Sequence, residues 1–106
     1  MSGLDDPWFD QVRAELAEER ATALELCARA DLTAGCIEAA KRAASEALAL
    51  DPFRESGYRL LMEAHARAGS RGEALRSYER CRRMLADELG VGPTNQTQAL
   101  YIQLLG

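Results

Sequence analysis

The sequence predicts an all-α fold, two helical hairpins followed by a C-terminal capping helix. Ala, Leu, Arg and Glu dominate its 106 residues, and these side chains lose little rotamer freedom in a helix. β-branched aliphatic residues are scarce, Val at 12 and 91 and Ile at 37 and 102. The punctuation also recurs at a fixed interval: Leu26 meets Leu60, Ala30 meets Ala64, Ala34 meets Ala68, Gly35 meets Gly69 and Ala40 meets Ala74. A chain of this length forms one core, so residues 8–106 read as a single helical domain behind a short leader, 1–7.

The elements follow in order. Pro7 opens a long helical pattern at about Trp8, with Val12, Leu16, Leu24 and Cys27 at helical spacing. It ends near Ala34-Gly35, where glycine can take the left-handed conformation of a helix end. An Ala-rich second helix runs from about Cys36 to Leu48, and its small side chains permit close approach of neighbours. Asp51-Pro52 marks the next start, a carboxylate able to accept an early amide followed by a residue that lacks one. The third helix, about Arg54 to Ala68, aligns Tyr58, Leu61, Met62 and His65. The fourth, about Arg71 to Leu89, aligns Ala74, Leu75, Tyr78, Cys81, Leu85 and Leu89, and Gly90 with Gly92-Pro93 stops it. Thr94 is placed to cap a short last helix carrying Leu100, Tyr101, Leu104 and Leu105.

The interval of the repeat is 34 residues, the period of the tetratricopeptide unit. Ala40, Ala44, Ala47 and Pro52 occupy that unit's informative places in the first hairpin, and Ala74, Tyr78 and Cys81 do so in the second. Each hairpin cannot bury its apolar stripe alone, so stacking makes the core. The alternative is an Ala-rich bundle whose match is accidental.

Leu50-Asp51-Pro52-Phe53-Arg54-Glu55, Leu60-Leu61-Met62, Ala68-Gly69 and the run Ala74-Leu75, Tyr78, Arg82, Leu85, Glu88-Leu89-Gly90 and Pro93 resemble the bacterial transcriptional activation domain of antibiotic-regulatory-type transcription factors. The likeness runs from about Trp8 to Leu105 and is looser in the first half, where Ala44 replaces a larger residue. That family is built on tetratricopeptide-like hairpins and usually follows a winged-helix DNA-binding domain. The resemblance implies an excised domain of a longer bacterial regulator, or another architecture reusing the module. It implies activation through contacts with the DNA-binding domain, another subunit or the transcription machinery; a general peptide-binding scaffold is the alternative.

Composition narrows the rest. The formal net charge is −4, which disfavours autonomous binding to nucleic acid or to membrane surfaces. No apolar run approaches the ~20 residues of a membrane span, and Met1 to Asp6 has no signal-peptide pattern; a cytoplasmic location is the expectation. Three cysteines without a C-x-x-C pair, Cys27, Cys36 and Cys81, read as small buried helix residues rather than a zinc site or disulfide framework. A single histidine, His65, reads as a hydrogen-bonded packing residue, and no catalytic constellation, cofactor or metal is expected.

Candidate contact residues come from the hairpin geometry. The first helix of each unit lines the concave side of a superhelical turn, placing Thr22, Glu25 and Arg29 beside Arg59, Glu63 and Arg67. A short acidic or mixed-charge protein segment suits that groove, unless Trp8 or the last helix covers it. Arg76, Arg80 and Arg83 form an exposed stripe beside Glu73, Glu79 and Asp87, with Glu79 and Arg83 at pairing distance. Glu55 and Arg82 are expected to form an ion pair fastening the second hairpin. The residues leave homodimerisation open.

Overall fold

A computed structural model describes residues 6–106. Five helices follow one another: α1 (Pro7–Ala34), α2 (Ile37–Leu50), α3 (Glu55–Arg67), α4 (Arg71–Leu89) and α5 (Asn95–Leu105). Consecutive helices pack together, and α3 also touches α1 and α5. The result is two layers, α1, α3 and α5 on one side and α2 with α4 on the other. Residues 1–5 of the expected leader lie outside the described residues, and Pro7 already belongs to α1.

Local chemistry sets the helix ends. The Asp6 carboxylate accepts from the Trp8 amide at 2.8 Å, and Pro7 stands at the first helical position, where a missing amide costs nothing. Gly35 and Gly69 take φ +83° and +79°. Cys36 and Ser70 then donate back to Asp31 and His65 at 2.8 Å each, and Gly35 and Gly69 to Leu32 and Ala66 at 3.1 Å each. The same Schellman turn thus closes α1 and α3 at positions one repeat apart. Gly90, φ +67°, ends α4. Asp51 acts earlier than expected: its Oδ1 accepts from the Phe53 amide at 3.2 Å and closes the turn containing Pro52, while α3 begins at Glu55 behind Arg54. A side chain this short reaches two residues on, not into the next helix.

The repeat register appears in burial. Ala28 and Met62, Ala40 and Ala74, and Ala47 and Cys81 are one period apart, and each is at most 1% exposed. The alanines and Cys81 let α1 pack closely on α2, and α2 and α4 each on α3, around Leu32, Leu48, Tyr58, Leu60, Leu61 and Leu85. The closest approach is at Gly57, where a Cβ would stand 2.8 Å from Leu48 Cδ2 and 2.9 Å from its Cγ. Gly57→Val should therefore lose about 1–3 kcal/mol in urea unfolding, the usual penalty of overpacking. Gly72→Ala, whose nearest neighbour is an Arg76 tip at 3.8 Å, should be neutral or gain up to ~1 kcal/mol from reduced backbone freedom.

Several sequence expectations need correction. The buried face of α1 is Ala21, Ala28 and Leu32, not the Val12, Leu16, Leu24 and Cys27 stripe; Leu16 is 53% exposed. Cys27 and Cys36 are exposed, and only Cys81 is buried. Leu89 is exposed, whereas Ser77 joins the buried face of α4. His65 is half-buried, with a buried Nδ1 that has no hydrogen-bond partner among the described residues. Burial, then Lys41, pushes its pKa down, so the ring is held neutral by packing rather than by a bond.

Candidate protein-interaction site

Two surfaces of the inner layer face solvent. The first is a groove formed by α1, α3 and α5. Residues Arg59, Glu63 and Arg67 are four apart, so one side of α3 presents them in a row. Arg29 reaches across from α1 and holds Glu63 with two parallel bonds, Nη1 to Oε1 at 2.9 Å and Nη2 to Oε2 at 2.7 Å. These bonds outweigh burial and hold the Glu63 carboxyl below its usual value, with further help from the charges of Arg67 and Arg59. Arg59 donates to Thr97 Oγ1 at 2.9 Å. Arg67 donates to the Leu32 carbonyl at 2.7 Å, a second bond to a group that already accepts from Gly35 in the turn ending α1.

The groove runs on either side of the Arg29–Glu63 bridge. One depression, about 250 Å³, is walled by Thr22, Leu26, Arg59, Leu60 and Gln96 among others. The other, about 420 Å³, lies between Glu63, Ala66 and Arg67 and the α5 residues Leu100, Gln103 and Leu104. Trp8 is 62% exposed, and α5 forms the groove's flank while leaving it open.

Glu25 holds a separate position at the groove's end. It accepts from Arg54 Nε at 2.7 Å and Nη2 at 3.3 Å, and from Ser56 Oγ at 2.7 Å. Both side chains of this ion pair are largely buried, 18% and 12% exposed. It joins α1 to the start of α3 and neutralises Arg54 within the fold.

The expected Glu55–Arg82 pair does not form. Arg82 lies on the exposed side of α4 and binds Glu79 in its own helix, Nε to Oε1 at 2.9 Å and Nη2 to Oε2 at 2.5 Å. Arg83 shares Glu79 at 3.1 Å. A partner one turn away needs no interhelical alignment and wins. These bonds hold the Glu79 carboxyl down to about 2. Glu55 instead turns to α5: its Oε2 accepts from the Thr94 amide and hydroxyl at 3.0 Å each and from Thr97 Oγ1 at 2.7 Å. Thr94 is the N-cap of α5 and uses its hydroxyl here rather than on its own helix. The carboxylate of a capping box normally comes three residues later in the same chain; here α3 supplies it. On the opposite face Arg76 pairs with Glu73, and the Arg80 guanidinium lies 5.6 Å from the Tyr58 ring centre, so that stripe is partly ion-paired and partly packed.

The second surface is the free side of α1. Leu26 is 68% exposed, although its repeat equivalent Leu60 is 4% exposed; Ala64 is fully buried and its equivalent Ala30 exposed. In α3 these places are covered by the preceding hairpin, whereas in α1 no described residue covers them. Toward the start of α1 the same side carries Trp8, exposed Leu16 and half-buried Val12.

Comparison with known proteins places this geometry. The bacterial transcriptional activator domain family matches residues 1–105. The chain belongs to that family. It is 38% identical to the regulatory protein AfsR of Streptomyces coelicolor over 105 residues, 99% of this chain and 11% of that protein. The regulatory protein AfsR of Streptomyces griseus is 35% identical over 105 residues, with the same coverage. The chain thus spans about 11% of the length of these relatives. No solved structure matches it. The family is one of transcription regulators, and among the described residues no helix is long and apolar enough to cross a membrane.

Sequence reading missed the Glu25–Arg54 pair and the fully buried Thr97. Glu25 was visible as a concave residue, but Arg54 stands ahead of α3 and its direction depends on the Asp51 turn. Thr97 carried a signal that was passed over: with Thr94 it sets two hydroxyls three residues apart at a helix start.

Proposed function

We propose that the chain is a regulatory domain of a bacterial transcription regulator that promotes transcription through protein contacts, with the free side of α1 seated against the DNA-binding domain of the same regulator. The observation supporting this reading is the contrast between exposed Leu26 and buried Leu60 one repeat later. A position that the repeat buries in α3 stands open in α1, and an apolar position left exposed in this way suits a partner surface. A winged-helix domain offers helices of the kind that α3 meets in α1 and α2. The acidic charge of the chain, −4, supports action through the neighbouring DNA reader rather than on DNA directly.

The test is a reporter driven by the full-length regulator carrying Leu16→Asp, a free-side position that, unlike Leu26, does not line the groove. A charge in the centre of an apolar contact should lower activation about tenfold or more, while the isolated domain, exposed at this position, keeps its unfolding midpoint. Unchanged activation would remove α1 as the contact. Sequence-dependent binding of promoter DNA by the isolated domain at physiological salt would replace the reading with a direct one.

A further inference from the structure

We propose that the groove between α1, α3 and α5 is a seat for an acidic segment of a partner protein, and that Glu63 fills this seat in the unbound domain. This rests on the reading of the domain as a protein-contact module, but it concerns the groove, which meets the free side of α1 only at Leu26.

Charge selects the occupant. Arg29, Arg59 and Arg67 surround one carboxylate, Glu63. Glu55 lies near enough to Arg59 to feel its charge, and counting it still leaves three guanidiniums against two carboxylates. This local excess sits on a chain of net charge −4. Arg54 is excluded from the count because Glu25 neutralises it. The bonds that Arg59 and Arg67 make among the described residues go to neutral oxygens, of Thr97 and Leu32, and each uses one donor of a group that carries several. Both guanidiniums lie near enough to Glu63 for their charge to act on its carboxylate, and planar guanidiniums bind such oxygens in parallel pairs.

Shape selects the flanking residues. The two depressions on either side of the bridge are walled by Leu26 and Leu60 at one end and by Leu100 and Leu104 at the other. A segment with a carboxylate between aliphatic side chains matches this order of apolar, cationic and apolar. A nucleic-acid strand matches less well, since it would bring repeated phosphates to aliphatic ends. Arg29 is half-exposed in its bridge, 51%, and such pairs are individually weak. An incoming carboxylate can therefore exchange with Glu63 at little net loss.

Fluorescence anisotropy on the whole chain tests this with an end-capped peptide of alternating Glu and Leu, its Gln-for-Glu counterpart, and a single-stranded oligonucleotide. The Glu peptide should saturate and the Gln peptide bind at least tenfold more weakly. Glu63→Gln should tighten Glu-peptide binding several-fold, because the internal competitor loses its charge. Arg59→Gln and Arg67→Gln should each weaken it about tenfold, the equivalent of one charge-assisted bond. Should either arginine variant melt early, Gln96 at the exposed lip decides: Gln96→Arg should tighten binding and Gln96→Glu weaken it. Equal affinity for the two peptides, weaker binding by Glu63→Gln, or preference for the oligonucleotide would each overturn the proposal. The Leu16→Asp reporter result reads the free side of α1 away from the groove lining, so failure here and failure there are distinguishable.

Discussion

Glu25→Ala should unfold at markedly lower urea than the parent chain, with a loss of about 2–4 kcal/mol. Removing one member of a buried pair costs roughly 3–5 kcal/mol because the remaining charge stays buried. The lower figure allows for Thr22, whose hydroxyl still accepts from Arg54 Nη2 at 3.1 Å. The carboxylate also receives Ser56 at 2.7 Å, so Arg54 Nε and Ser56 Oγ lose their acceptor together. A double-mutant cycle with Arg54→Ala should show coupling well above the ~0–1 kcal/mol of an exposed pair. Additive single effects would mean that the two helices are held by packing alone. The same cycle on Glu55 and Arg82 should give no coupling, since they bind different partners.

Glu55→Ala should release the start of α5, lowering stability by about 2–4 kcal/mol, since hydrogen bonds to a charged group contribute ~1.5–3 kcal/mol each and three that share one oxygen do not add fully. Amide exchange should rise first in α5 and then at Tyr78, whose ring stacks on Tyr101 at 3.9 Å. The pH dependence has a definite sign. Burial pushes the Glu55 carboxyl up, but bonds from Thr97 and Thr94 and the charge of Arg59 outweigh it and hold the group below its usual 4.5. The unfolded chain therefore binds the proton more readily, and stability falls as the pH drops. This contribution is complete above about pH 4.5 and is lost as the pH falls from there through the lower folded value. Glu63 behaves in the same direction. In Glu55→Ala the acid limb of the stability profile should flatten; an unaltered limb would assign acid sensitivity to other carboxylates.

The features legible in the sequence were those decided within one turn of the chain. Gly35, Gly69 and Gly90 stop helices by their own backbone freedom, and Pro7 starts one, so five helices could be placed to within a few residues. The repeat was legible because Leu26, Ala30, Ala34, Gly35 and Ala40 return one period later as Leu60, Ala64, Ala68, Gly69 and Ala74. The face of α1 was misread because apolarity was taken to mark the core. In a close-packed seam the core side chains are alanines, and the larger Leu16 and Leu26 are left for another surface. The groove residues Arg29, Arg59, Glu63 and Arg67 follow from repeat geometry and do share one face. Which carboxylate meets which arginine did not follow, because a long side chain chooses between a neighbour one turn away and one across a helix. Arg82 took the first and Arg29 the second.

The length of α1 has a mechanical consequence. Its 28 residues extend about 42 Å at 1.5 Å per residue, and its buried positions begin only at Ala21. The first half thus projects about 21 Å beyond the alanine seam. A tilt of about 10° at the seam carries the Pro7 end through roughly 4 Å, by the same rise per residue. Arg29, Glu25 and the Schellman turn at Gly35 lie beyond Ala21 on the same rod. Displacement at the tip is thereby geared down, arriving at the groove as a small rotation of the helix that carries Arg29.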